Sequence, residues 1–399
     1  LTTDQRGFPR VVDGNDDGTA TVDIGAVEVG PVLHVTTLVN GGPGSLRQAM
    51  ANVDFFGQVV FAAGLSGQTI PLSSELMVTK NVTIDASSLA GGLAISGGGT
   101  TRLFSVAAGG NLTLRGLTLT GGNADQDLGG AIYNFGTTTL ERCTLSGNTA
   151  TYDGGAISNE GGTMTITNST LSGNSAGDLS GNQEHGGAIR NISTLTLTHC
   201  TVSGNTAATG GGIYGGGTLT LNNTIVAGNT GLTSPNISGA FTGSNNITSG
   251  DPLLSPLGNY GGPTQTMALL PGSPARNAAA VLAPPILSDQ RGFPIGGTPD
   301  IGAYEAGTFP NYNAWIYETL PATATAAQHA TAFDFDGDGV NNGNEWLALT
   351  DPGSPASYLH VTQLVRSGSN LDVTFPSVAD RNYSLESTTD FVTWTFVPG

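Results

Sequence analysis

The sequence predicts an all-β chain whose centre winds as a right-handed parallel β-helix, and three observations predict it. The block Gly129-Gly130-Ala131-Ile132-Tyr133-Asn134 recurs at Gly154, at Gly186 and loosely at Gly210, with starts 25, 32 and 24 residues apart. A second block, Leu145-Ser146-Gly147-Asn148, returns at Leu171, Val202 and Val226. Between them Thr alternates with aliphatic residues, as in Thr163-Met164-Thr165-Ile166-Thr167. Period-two alternation of β-formers between glycine turns is a strand signal, and repeats of this length mark a solenoid. Strands this short cannot bury their apolar face alone, but stacking at ~4.8 Å per turn piles inward residues into columns. The longer convex segment and leucine-asparagine pattern of a leucine-rich repeat are not found.

The alignment makes local expectations. Cys143, Ser169, Cys200 and Thr224 share one position, beside an inward column of Leu145, Leu171, Val202 and Val226. The cysteines then lie two turns apart, ~9–10 Å, too far for a disulfide and expected as buried free thiols. Asn148, Asn174, Asn205 and Asn229 are expected to form a structural ladder at a turn. Asn81–Asp85 and Asn111–Leu114 read as earlier turns, and Ser45 reads as the cap of a short helix covering the open first edge.

Composition bounds the function. The chain has 399 residues, 61 of them glycine, about twice the usual share. A net charge of −18 repels phosphate backbones, which disfavours nucleic acid and favours calcium and neutral glycans. No apolar run reaches the ~18 residues of a membrane helix. The chain starts at Leu1, so any export signal is expected to have been removed or to lie outside it.

One segment is duplicated. Asp4-Gln5-Arg6-Gly7-Phe8-Pro9 followed by Asp23-Ile24-Gly25-Ala26-Val27-Glu28 matches Asp289–Pro294 followed by Asp300–Glu305. Residues 1–30 therefore read as the tail of a preceding module, or as an exchanged strand segment. Asp13, Asn15 and Asp17 have calcium-loop spacing, but Ile24 stands at position twelve, so a solvated loop is expected.

Gly44-Ser45-Leu46-Arg47-Gln48-Ala49 resembles the CSLREA segment that opens β-helical domains of large bacterial surface proteins, with Gly44 and Gln48 in place of its Cys and Glu. The duplicated pair resembles the closing segment called choice-of-anchor Q. The repeated turns resemble the pectate-lyase-like superfamily and the polymorphic outer-membrane adhesins. The resemblance implies export to the bacterial cell surface and assigns no reaction. On this reading residues 31–306 form the β-helix and 307–333 a linker with a short helix.

The strongest motif is Asp334-Phe335-Asp336-Gly337-Asp338-Gly339-Val340-Asn341-Asn342-Gly343-Asn344-Glu345. Acidic groups at positions 1, 3 and 5, glycine at 6, a carbonyl at 7 and Glu at 12 are the EF-hand-like calcium pattern. The expected Ca²⁺ ligands are Asp334, Asp336, Asp338, Val340, Asn342 and Glu345, with Glu345 opening a helix to Leu349. The loop resembles the single-loop type of dockerins and thrombospondin repeats, and region 334–355 is assigned to it. Residues 356–399 alternate at Tyr358–Val361, Leu371–Phe375 and Tyr383–Glu386, and resemble part of a small β-sandwich that ends many secreted bacterial proteins.

Glycan-cleaving β-helices carry carboxylates or a base with calcium on adjacent turns. Here Glu141 aligns with Thr167, Thr198 and Asn222, so no catalytic column forms; Lys80 is the single lysine, and Arg115, Arg142 and Arg190 are expected to have no matched acidic platform. The remaining cluster is Asp125, Asp127, Asp153, Asp178, Glu184 and His185, with Asp153 and His185 one turn apart. The leading expectation is a non-enzymatic structural or adhesive surface protein, partnered by copies of itself or tandem modules and able to form head-to-tail fibres through strand complementation. The alternatives are a polysaccharide lyase or hydrolase, and a glycan-binding module using Tyr133, Tyr152 and Tyr214.

Overall fold

A computed structural model describes residues 32–53, 57–177, 184–357, 362–367, 370–374, 386–387 and 395–396. The duplicated segment at residues 4–28 with its acidic loop, Asp178, and the strand expected at Tyr358–Val361 lie outside the described residues. The chain divides into two compact units, Leu1–Ala314 and Trp315–Gly399.

The first unit is the expected right-handed parallel β-helix. Its first sheet stacks eight strands, from Val32–Val35 and Gly57–Phe61 through Thr137–Glu141, Thr163–Thr167 and Thr194–Thr198 to Thr218–Asn222. The second sheet has seven, from Gln68–Pro71 to Ile225–Val226, and the third has seven, from Leu76–Val78 to Ile237–Ser238. Every pairing within them is parallel and in register: Leu140 lies between Leu114 and Ile166, and Leu171 between Leu145 and Val202. Single bridges at Thr242 and Ile247 carry the coil beyond its last strand.

Alternation explains the burial. Leu114, Leu140, Ile166, Leu197 and Leu221 are fully buried in the first-sheet core, while the threonines between them stay half-exposed. The Gly-Gly-Ala-Ile blocks recur for a steric reason. Gly129, Gly154, Gly186 and Gly210 have φ of +62° to +71°, and an added Cβ would lie 2.2–2.6 Å from the carbonyl oxygens of Ile132, Ile157, Ile189 and Ile213. The corner between first and second sheets also demands left-handed backbone. Gly116, Arg142, Asn168, His199 and Asn223 supply it in successive turns, with φ of +48° to +62°.

Helix Leu46–Asn52 forms as expected: Ser45 Oγ accepts from the Gln48 N–H, and Leu46, Ala49 and Met50 are buried. The cysteines are free and buried, with burial pushing both thiols up to about 12. Neither is expected to react with an aromatic disulfide reagent at pH 8 in the native protein, and both should react in urea. One fast native thiol would contradict the column.

The asparagine ladder is present and tighter than a turn motif requires. Asn148 Nδ2 donates to Asn174 Oδ1, Asn174 Nδ2 to Asn205 Oδ1 and Asn205 Nδ2 to Asn229 Oδ1, each at 2.9 Å. Each accepting oxygen also takes the backbone N–H of the donor asparagine, at 3.0 Å. A second ladder runs through Asn134, Asn159 and Asn191, at 2.8 and 2.7 Å.

After the coil, the segment from Pro252 to Glu305 runs along the outer face of the second sheet as a strap. That face presents a column of threonines, and Thr144, Thr170 and Thr201 are buried beneath the strap. Gln290, fully buried, donates to Thr144 Oγ1 at 3.0 Å and accepts from Thr170 Oγ1 at 2.6 Å. Ala303 N donates to Thr201 Oγ1 at 3.1 Å, and Gly302 N to the Asn223 carbonyl at 2.8 Å. Gly302 has φ +106°, and an added Cβ would meet Ile225 at 2.9 Å and Thr201 at 3.0 Å. Arg291 holds the strap to itself: its Nε meets Asp289 Oδ2 at 2.7 Å and its guanidinium stacks 3.7 Å above the Tyr304 ring.

Glu305 is buried in the same knot, where its Oε2 accepts from Asp300 N at 2.9 Å. Burial, with the charges of Asp300 and Asp289, pushes its carboxyl up to about 7, against the lowering effects of the Asp300 N–H bond and of Arg291. Because the folded value is raised, the stability is full below about pH 4.5 and is lost as pH rises through 7. The change is about 3 kcal/mol at 1.36 kcal/mol per unit. Urea midpoints of the wild type are therefore expected to fall between pH 5 and 8. Glu305→Gln, which keeps the acceptor without the charge, should flatten that slope; an unchanged slope would remove Glu305 as its source.

Helix Tyr312–Thr319 contains the boundary residues Ala314 and Trp315, and in the second unit helix Asn342–Ala348 follows the acidic loop. Gln363–Ser367 pairs antiparallel with Asn370–Thr374, and Glu386–Ser387 with Thr395–Phe396.

Candidate metal centre

The loop after Phe333 is built by its own carboxylates. Asp334 Oδ1 accepts from Gly337 N at 2.8 Å and Oδ2 from Gly339 N at 2.9 Å. Asp336 Oδ1 accepts from Asp338 N at 3.2 Å, and Asp338 Oδ1 from Val340 N at 2.8 Å. Gly337 and Gly339, at φ +80° and +93°, make the reversal possible. Each of Asp336 and Asp338 thus commits one oxygen to the loop. Their other oxygens are buried without a hydrogen-bond partner.

Three carboxylates converge: ligand oxygens of Asp334, Asp336 and Asp338 lie within 4.8 Å of one another. Among the described residues this is the group of acidic, His or Cys side chains close enough to share an ion. Glu345 comes in from the helix, fully buried, with Oε2 also lacking a hydrogen-bond partner. Burial, then Asp336 and Asp338, push its carboxyl up to about 7. Asp336 is raised as well, by burial and then by Asp338 and Asp334. Buried oxygens without donors, crowded by like charge, have the chemistry of a hard-cation site.

The helix begins three residues earlier than expected, at Asn342, because Asn341 caps it by accepting from Asn344 N at 3.0 Å. Asn342 is placed differently from a simple loop ligand. Its Nδ2 donates to the Gln328 and Ala330 carbonyls at 2.8 and 3.1 Å, leaving Oδ1 buried and without a hydrogen-bond partner. Val340 is half-buried, and its N–H is the donor to Asp338 Oδ1.

The charged cluster on the coil is brought together only in part. His185 Nδ1 lies 3.2 Å from Asp153 Oδ1, which also accepts from His185 N at 2.6 Å. Asp153 Oδ2 faces Arg190 Nε at 3.0 Å, and Arg190 in turn meets Glu160, which accepts from Ser158 Oγ at 2.5 Å. Asp127 is taken by Arg102, which also meets Glu75 at 3.0 Å. Asp125 lies 3.4 Å from Thr151 Oγ1, and Glu184 borders a cleft with Tyr152. Tyr214 packs against His185 with ring centroids 4.4 Å apart, and Tyr133 lies beneath Arg102. The sequence pairs Asp153 with His185, but the expectation that Arg115 and Arg190 lack acidic partners is corrected: Arg190 lies between Asp153 and Glu160, and Arg115 between Asp85 and Glu141, because stacking brings carboxylates of adjacent turns beside them. Sequence reading also missed Gln290, whose only signal was its place in the duplicated segment.

With the geometry in hand, the fold defines a class, a repeat-built parallel β-helix joined to a unit with an acidic loop. Residues 142–160 match the Chlamydia polymorphic membrane protein repeat. That stretch spans the Ser-Gly-Asn turn and the following Gly-Gly-Ala-Ile block, and it contains Asn148 and Asn159 of the two ladders. No curated protein matches the chain in sequence. Among solved structures, "Crystal structure of pectate lyase Pel9A" is similar with a TM-score of 0.29 and 12% identity, over 70% of this chain and 97% of that one. At that score the likeness bears on neither reaction nor substrate.

Proposed function

We propose that the chain is a non-enzymatic structural or adhesive protein of the bacterial cell surface, with a calcium-stiffened joint after its β-helix. One observation carries the reading: three loop carboxylates, Asp336, Asp338 and Glu345, keep buried oxygens without hydrogen-bond partners, whereas on the coil Asp153, Glu160, Asp127 and Glu75 are spent on neighbouring arginines and histidine and Glu184 alone among the described carboxylates there keeps such an oxygen. Asp153 and Glu160 share Arg190, and Asp127 and Glu75 share Arg102. A general acid or base needs a proton path to substrate, and these groups are turned to each other. The polymorphic membrane protein match supports a surface setting. Ligands for Ca²⁺ in this reading are Asp334, Asp336, Asp338, the Val340 carbonyl and Glu345, with Asn342 through its free oxygen.

Protease shaving of intact producing cells, followed by immunoblotting, tests the setting: the chain should be cleaved from the outside, and full protection would overturn the proposal. The Asp153–His185 contact favours glycan cleavage as the second reading. Release of products from acidic or neutral glycans, abolished by Asp153→Ala, would establish it.

A further inference from the structure

Three successive corner residues of the coil, Asn168, His199 and Asn223, face the strap. Asn168 Nδ2 donates to the Ser288 carbonyl at 2.8 Å. Asn223 is held at both ends of its amide by one strap residue: Oδ1 accepts from Ala280 N at 2.9 Å, and Nδ2 donates to the Ala280 carbonyl at 2.8 Å. These two bonds fix which end of the amide is which, because exchanging oxygen and nitrogen would break both. The Nδ2 end also lies 2.9 Å from Nε2 of His199, and both residues are buried. Two N–H groups cannot bond to each other, so His199 Nε2 is the acceptor, and the ring is neutral with its hydrogen on Nδ1.

We infer that His199 is an acid-sensitive catch for the strap: neutral, it completes the Asn223–Ala280 clasp, and protonated, it forces that clasp open. A proton on Nε2 would confront the amide nitrogen of Asn223 in a buried site, and turning the amide to accept it would cost both bonds to Ala280. The turns on either side contribute the amides of Asn168 and Asn223. The charged groups of the strap are engaged elsewhere. Asp300 accepts from Asn277 N at 2.5 Å and Ala306 N at 2.7 Å, and Glu305 from Asp300 N at 2.9 Å. Arg276 donates to the Leu269 carbonyl at 2.5 Å, and Asp289 pairs with Arg291. Burial holds the imidazole below the usual histidine range, against the carbonyls of Asp300 and Gly302, which favour its charge. Because the folded value is lowered, the opened state takes up the proton first. The stability His199 contributes is therefore full above pH 6.5 and is lost as pH falls below it. Glu305 and Asp300, both raised, titrate in the opposite sense. The catch stands apart from the surface-protein reading, and either can fail alone.

The test reads the clasp in the full chain carrying Glu305→Gln, which removes the larger opposing titration. The Ala280 N–H donates to Asn223 Oδ1, so its hydrogen exchange reports the opening directly. Corrected for intrinsic exchange, its opening constant is expected to rise about threefold or more between pH 6.5 and pH 5. Adding His199→Gln, which keeps an acceptor that does not titrate, should leave that constant level. A level constant in the Glu305→Gln chain, or a rise that survives His199→Gln, would overturn the inference. Titration of the imidazole nitrogens by NMR in the wild-type chain needs no variant to fold. His199 is expected as the Nδ1–H tautomer with a midpoint below 6.5; an Nε2–H tautomer, or a midpoint at 6.5 or above, would overturn the inference as well.

Discussion

Calcium at a hundredfold excess over its Kd is expected to stabilise the second unit by about 2.7 kcal/mol. Glu345→Gln should weaken binding on the order of a hundredfold, about 2.8 kcal/mol. The cause is the arrangement of oxygens. Glu345 is fully buried with one oxygen lacking a hydrogen bond, and it faces Asp336 and Asp338, whose inner oxygens lack hydrogen bonds too. A divalent cation converts that repulsion into attraction, and removing the charge at position twelve takes most of the gain away: at the same calcium concentration a hundredfold weaker Kd leaves about 0.4 kcal/mol. Isothermal titration and calcium-dependent melting of the full chain read both effects. Melting of the second unit that ignores calcium and magnesium alike would leave the loop as a self-bonded turn and remove the stiffened joint. Magnesium is the useful control, because its octahedral, tightly hydrated shell suits a carboxylate-rich flexible loop poorly.

Asn174→Ala is expected to destabilise the coil by about 3–5 kcal/mol, from more than one buried group left unpaired at about 1–3 kcal/mol each. The side chain makes four hydrogen bonds: two accepted from Asn148 and two donated, to Leu145 O and Asn205 Oδ1. Its removal orphans the Asn148 N–H in a site water does not reach, since Asn148 is fully buried. Thr196→Ala, on the half-exposed outer face of the same coil, is expected to change stability by no more than about 0.5 kcal/mol. Equilibrium urea unfolding of both variants separates the two. Equal midpoints would mean that the ladder is not an energetic element of the fold.

The coil was legible because its signals are periodic. Leu145, Leu171, Val202 and Val226 each carry the same information, so the inward column could be placed from spacing alone, and the register follows it residue for residue. The acidic loop was legible for a related reason, since its carboxylates belong to one short stretch. What the sequence hid were meetings of unrelated segments. Gln290 and Thr170 lie 120 residues apart and share no pattern. The segment that resembles a closing segment runs along the flank of the second sheet, where its one buried amide meets Thr144 and Thr170. Arg190 was hidden differently: one arginine in a column of Tyr133, Ser158 and Tyr214 gives no repeat to recognise.

A stack of similar turns touches only its neighbours, so on its own it can fray from an end one layer at a time. The strap denies it that route. Its bonds reach the layers of Thr144, Thr170, Thr201 and Asn223 in a single run, so the Asn223 layer cannot lift without shearing a lashing that also grips those beneath. Under tension or protease attack, these four layers are bound to fail together or hold together.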